Sequence, residues 1–170
     1  MTVYFTDDKI VANETVSFAT IYIGVVIMPK IMRRMNIISR CAGLYRAQQL
    51  EDAGLRPVHH SYILMIYKNE GKSQDWLARQ LCLSKSNVTR HITYLENEGY
   101  IERRPDENDK RQMLVYPTDK LRDIYPRVRK ITDEWNAYVS DGITDKELEA
   151  FHSTLDKMLE RAQELASRGK

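Results

Sequence analysis

Apolar residues recur at helical spacing over most of this chain, and the pattern changes to strand-like alternation only once, between two runs near residue 110. Six helices are predicted. The first spans about Lys30 to Leu50, with Ile31, Met35, Ile38, Ala42 and Tyr45 on one side and Gln49 breaking the series. Gly54 stops it, and Pro57 is placed to open the second, which runs to about Asn69 and buries Tyr62, Ile63, Ile66 and Tyr67. Ser73 caps a third helix, Gln74 to Cys82, and Ser84 caps a fourth, Lys85 to Glu98, closed by Gly99. Ile101–Arg104 and Gln112–Tyr116 pair as a hairpin around a polar loop, residues 105–110. Thr118 caps a fifth helix reaching about Ser140. Thr144 and Glu147 form a capping box for the sixth, which ends near Ser167.

A short helix pair followed by a hairpin is the order of a winged helix-turn-helix. Outside that unit, Trp135, Tyr138, Val139, Phe151, Leu155 and Leu159 need a partner surface, so the fold class expected is mainly α with a small β-hairpin wing, a winged helix-turn-helix plus a helical dimerisation domain. Its regions are 57–117 for the winged unit, 28–56 and 118–170 for the helical dimerisation region, and 1–27 as an N-terminal extension. Met28-Pro29-Lys30 would make an ordinary start, so the extension either belongs to the functional protein or lies upstream of its core. Within it, Phe18 to Met28 is apolar for eleven residues. That is too short to cross a membrane and lacks the basic region of a signal peptide. The run is expected as a strand or buried arm.

The fourth helix carries the functional signal. With 100° per residue, Val88, Ile92 and Leu95 point one way, while Ser86, Thr93, Asn97 and Arg90 point the other, flanked by Asn87 and Thr89. Hydroxyls, an amide and a guanidinium suit base edges and phosphates. In the wing, Arg103, Arg104, Lys110 and Arg111 bracket the loop, and a long cationic side chain at a hairpin tip can enter the minor groove. Asp109 is expected to pair with Arg111 and set its direction.

Charge changes this picture little in total and more in distribution. The net charge is +2. Residues 72–130 hold 13 Lys/Arg against 9 Asp/Glu, and residues 131–170 hold 5 against 9. A basic middle faces a polyanion and an acidic tail does other work. Cys41 and Cys82 form no disulfide framework or C-x-x-C, which fits a reducing cytoplasm. Both are expected to be packed. The sequons at Asn13 and Asn87 are dismissed, the second because it lies on the groove-facing helix. His59 and His60 are adjacent, His91 and His152 stand apart, and no metal or cofactor is expected. No motif of a hydrolase, metalloprotease, P-loop or dinucleotide-binding enzyme is present, so catalysis is not expected.

These residues resemble the MarR family of bacterial transcription regulators. The resemblance rests on the Pro57 helix start, Leu77-Ala78 and Leu81, and Ser84 through Arg90. It continues with Leu95-Glu96-x-x-Gly99-Tyr100-Ile101-x-Arg103 and Asp109-Lys110-Arg111, and covers roughly residues 31–168. It implies a homodimer whose first and last two helices interlock, with two winged lobes on double-stranded DNA carrying a palindromic operator. It implies repression relieved by a small aromatic or anionic effector. The DNA-binding set expected is Ser84, Lys85, Ser86, Asn87, Thr89, Arg90, Thr93, Arg103, Lys110 and Arg111. An effector pocket is expected around Tyr45, Arg46, His60 and Tyr67, from their place in that fold and their mix of aromatic and cationic groups. The alternative function is a winged-helix protein-interaction module without DNA binding.

Overall fold

The structure is a computed structural model and describes residues 18–168, with side chains from Lys30 onward. Residues 1–17, including the Asn13 sequon, lie outside the described residues. The chain divides between Leu44 and Tyr45 into two units. The break falls within one helix, α1 (Phe18–Leu50). Phe18–Met28 is thus helical rather than the expected strand. An apolar run alone does not distinguish the two, and a helix satisfies its backbone groups internally, where a strand needs a partner. In the first unit, Met32, Ile37, Ile38 and Leu44 are exposed although apolar. Ile38 therefore does not occupy the buried position its spacing suggested, and Cys41 is exposed rather than packed.

In the second unit a 3₁₀ turn (Glu51–Ala53) ends at Gly54, whose φ of 65° is left-handed. Then come α2 (His59–Lys68), β1 (Lys72–Ser73), α3 (Gln74–Gln80), α4 (Lys85–Asn97), β2 (Ile101–Pro105), β3 (Met113–Pro117), α5 (Asp119–Val139) and α6 (Asp145–Ser167). Pro57 sits in the turn before α2 rather than in its first turn, since the His59 N–H bonds back to the Arg56 carbonyl at 2.9 Å. The sheet is antiparallel in the order β1-β3-β2, with Arg103 opposite Val115 and Ser73 opposite Leu114. Sequence patterning missed β1, because two residues are too few to show alternation. It nonetheless closes the wing onto the start of α3.

The core lies between α2, α3, α4, the sheet and α5. Tyr62, Ile63, Leu77, Val88, Ile92, Leu95, Val115, Leu121 and Val128 are buried in it. The helix starts follow the caps in the sequence. Ser73 Oγ accepts from the Trp76 N–H, Ser84 Oγ from Asn87 and Thr118 Oγ1 from Leu121. Thr144 and Glu147 form the reciprocal capping box. Cys82 is exposed and takes a positive φ of 51° at the turn between α3 and α4. α6 has no buried side chain among its described residues, although Phe151, Leu159 and Leu165 stand exposed along it. No helix of the described residues is long and apolar enough to cross a membrane.

Candidate nucleic-acid interface

α4 is anchored by Val88, His91, Ile92 and Leu95, all buried, at the three- and four-residue spacing that puts them on one side. Its other side presents Ser86, Thr89, Arg90 and Asn97, exposed, with Asn87 and Thr93 half-buried at the edges. Ser84 Oγ lies 3.2 Å from Ser86 Oγ, so the cap and the first outward hydroxyl share a hydrogen bond. Arg90 Nη2 donates to Asn87 Oδ1 at 3.0 Å, which holds the guanidinium back along the helix. Thr89 Oγ1 lies 2.9 Å from the Lys85 carbonyl and 3.3 Å from Gln74 Oε1. These are local, exposed bonds that a base or phosphate can replace at small cost.

Two side chains from α3 enter the site without a signal in the α4 pattern. Gln74 meets Thr89, and Asp75 Oδ2 takes the Lys85 ammonium at 2.6 Å. The Lys85–Asp75 pair is largely exposed, and such pairs contribute about 0–1 kcal/mol. A phosphate can compete for Lys85. The acid was missed because it lies ten residues away, on the preceding helix.

The wing loop is shaped by two aspartates. Asp106 Oδ1 accepts from the Asn108 N–H at 2.9 Å, and Asp109 Oδ1 from the Arg111 N–H at 3.1 Å. Asp109 therefore orients the wing through the backbone and not through the expected carboxylate–guanidinium pair. Its two-residue separation from Arg111 favours a side-chain-to-backbone turn. The side chains of Lys110 and Arg111 remain exposed at the tip. Arg103 is half-buried and paired with Glu96 through both Nε and Nη2, so it ties β2 to the end of α4. The same bond holds the Glu96 carboxyl below its usual range. Arg104 pairs with Glu102 and lies 4.6 Å from the centre of the Tyr116 ring. Ser73, Gln74, Asp75, Arg103, Arg111, Gln112 and Met113 line a cleft between the start of α3 and the wing, which brings Arg111 and the α3–α4 pair to one side.

The four residues expected around an effector fall into two groups. Tyr45 donates to Glu134 at 3.2 Å, with its ring 5.7 Å from Trp135, and Tyr67 stacks on Tyr125 at 3.6 Å. Arg46 Nε and His60 Nδ1 are buried without a hydrogen-bond partner. Burial, then the charge of Arg46, lowers the His60 pKa to about 4. Thr132 Oγ1 lies 3.0 Å from the Val128 carbonyl and 2.6 Å from His60 Nε2. Its one proton goes to the carbonyl, so His60 carries its hydrogen on Nε2 and turns a bare acceptor, Nδ1, inward.

His91 is not isolated, as its position in the sequence suggested. Its Nδ1 lies 3.3 Å from His59 Nε2, and both rings are buried. Thirty-two residues separate them, and only packing of α2 on α4 joins them. Among the described residues no group of three or more His, Cys, Asp or Glu is placed to hold a metal ion.

A hairpin wing beside an α4 with a polar outer face defines a winged helix-turn-helix protein. Residues 55–113 match the family model described as MarR family. The chain is 28% identical over 145 residues to an uncharacterized HTH-type transcriptional regulator, YybA, of Bacillus subtilis strain 168, covering 84% of this chain and 97% of that protein. The crystal structure of the transcriptional regulator SlyA superposes with a TM-score of 0.80 at 22% identity, covering 82% of this chain and 99% of that one. A MarR family regulator from Listeria monocytogenes, solved in complex with 26mer DNA, gives 0.77 at 24% identity, covering 79% and 90%.

Proposed function

We propose that this chain is a homodimeric, sequence-specific DNA-binding transcription regulator, a repressor released by a small ligand. The observation that carries the reading is the outer face of α4. It is polar and exposed, carries Arg90, and is flanked by a wing whose Lys110 and Arg111 project outward. A protein-docking face would expose apolar groups there, and the exposed large apolar residues lie elsewhere. Ser84, Lys85, Ser86, Asn87, Thr89, Arg90 and Thr93 serve bases and phosphates in the major groove, and Lys110 and Arg111 serve the wing contact.

The dimer is supported by large apolar residues that stand exposed among the described residues. These are Met32, Ile37 and Ile38 on α1, Tyr138 and Val139 on α5, and Phe151, Leu159 and Leu165 on α6. A two-fold dimer sets two α4 helices on a palindrome. The effector reading is supported by Arg46 Nε–H and His60 Nδ1, a donor and an acceptor buried without partners, since orphaned buried polar groups are costly. A hydroxylated aromatic acid matches both. The relatives above are transcriptional regulators, and one neighbour is bound to DNA.

The test is titration of labelled duplex from upstream of the chain's own gene, at several salt concentrations. Arg111→Ala is expected to weaken binding and to reduce the slope of log K against log[salt] by about one. An affinity for that duplex no higher than for unrelated DNA, across all salt concentrations, removes the sequence-specific regulator and leaves the interaction module.

A further inference from the structure

The second cleft of the winged unit lies on the side of α4 away from the wing. It has a volume of about 330 Å³, is open outward, and is lined by Arg56, His59, Arg90, His91, Thr93, Tyr94 and Asn97. No carboxylate is among them. Several arginines of the second unit are bound to an acid, among them Arg103 to Glu96, Arg104 to Glu102, Arg122 to Glu70, Arg127 to Asp52 and Arg129 to Asp133. Arg56 and Arg90 are not. Arg90 bonds only the neutral Asn87 side chain, and the Arg56 guanidinium lies 5.4 Å from the centre of the Tyr94 ring.

The segment that carries Arg56 is fastened to α4. Tyr94 donates its hydroxyl hydrogen to the Gly54 carbonyl at 2.6 Å, and its ring stacks on His59 at 4.6 Å. The Arg56 N–H donates to His59 Nδ1 at 3.2 Å, which places the hydrogen of His59 on Nε2, directed at His91 Nδ1. His91 then carries its own N–H on Nε2. Burial and the neighbouring arginines keep both imidazoles neutral. The cleft therefore has two unpaired guanidiniums at its edge and two neutral hydrogen-bonding groups from α4, Thr93 and Asn97.

We propose that this cleft receives a phosphodiester of the DNA backbone, held between Arg56 and Arg90, so that the turn before α2 joins the DNA interface. The inference rests on the DNA-binding reading above. It adds a contact from outside the helix-turn-helix and the wing, and a role for Arg56 that is positional and independent of base sequence.

The experiment uses the full-length chain and the same duplex, with Arg56→Gln and Arg56→Lys, whose fold is checked by circular dichroism and thermal midpoint. Arg56→Gln is expected to lower the salt slope by about one and to weaken operator and unrelated duplex by the same factor. Arg56→Lys is expected to keep the wild-type slope. In a second arm, duplexes with a single neutral methylphosphonate are scanned along the site. One position should weaken the wild type and not weaken Arg56→Gln further. Wild-type slope and affinity in Arg56→Gln, with a wild type that binds duplex, overturn the cleft and leave the regulator standing. Weaker binding with an unchanged slope overturns it too, because Arg56 would then act only through its packing on Tyr94. A wild type that binds no duplex sinks both. In a third arm, inorganic phosphate is added without DNA. A phosphate-dependent rise in the thermal midpoint, lost in Arg56→Gln beside an unchanged DNA slope, assigns the cleft to a free anion and overturns the DNA contact.

Discussion

Acid should unfold this protein in two separable steps, and the first belongs to histidine. His59 is fully buried and His60 nearly so, and burial above all lowers each pKa to about 4 from an ordinary 6.5. The unfolded chain takes up these protons near pH 6.5 while the folded chain refuses them until about pH 4. The histidine share of the stability is therefore complete above 6.5, declines between 6.5 and 4, and levels off below. A drop from 6.5 to about 4 corresponds to about 3 kcal/mol for each imidazole. His91, lowered by burial and by Arg90 and Arg56, acts in the same direction. Against a typical total of 5–15 kcal/mol, the loss is enough to unfold a protein of ordinary stability. The carboxyls of Asp52, Glu70, Glu96 and Glu147 are held below their usual range by Arg127, Arg122, Arg103 and Thr144, so their contribution is lost in a second, lower window. Urea denaturation followed by Trp76 and Trp135 fluorescence, at fixed protein concentration and several pH values from 7.5 to 4, measures the slope directly. Each neutral imidazole contributes up to about 1.4 kcal/mol per pH unit. His60→Gln should remove the share of one proton between pH 6 and 5. A stability that is flat from 6.5 to 4.5, or a His60→Gln slope equal to wild type, refutes the neutral buried pair.

Three other outcomes test the fold. Gly71→Ala and Gly99→Ala both force a side chain to a left-handed φ, 72° and 74°, which costs about 1–2 kcal/mol, but only at Gly71 would the new Cβ meet the Tyr116 hydroxyl, at 3.0 Å. Gly71→Ala should therefore lower the thermal midpoint more, and equal losses would contradict that packing. Thr144→Ala removes the capping box of α6 and should cost about 1 kcal/mol in chemical denaturation, whereas no loss would mean that α6 starts elsewhere. Ile92→Ala leaves a cavity under α4 and should cost about 2–5 kcal/mol, against a change near zero if that side of the helix is solvated.

Much of the geometry of α4 was legible because it is local. Ser84 as cap, Val88, Ile92 and Leu95 as anchor and Arg90 on the far side all follow from helical spacing within fourteen residues of chain. Arg103 was read as a wing cation, and its pairing with Glu96 on the neighbouring helix was not legible, because the two lie on separate elements. Asp109 was assigned the right loop and the wrong partner, since spacing does not separate a backbone N–H from a guanidinium. The cysteines were read as packed, and both are exposed, because apolar spacing does not say which side of a helix its neighbours cover. The Phe18–Met28 run was read as a strand or buried arm and is helical, because an apolar run alone does not separate strand from helix.

Periodicity, caps and turn residues determined the order of the helices, the hairpin and the polar side of α4, for these depend on neighbours a few residues apart. Tertiary packing alone decided that His59 meets His91, that Tyr94 fastens the turn carrying Arg56, and that Asp75 takes Lys85. Such pairings join separate helices, and a one-dimensional pattern contains no term for which helix faces meet.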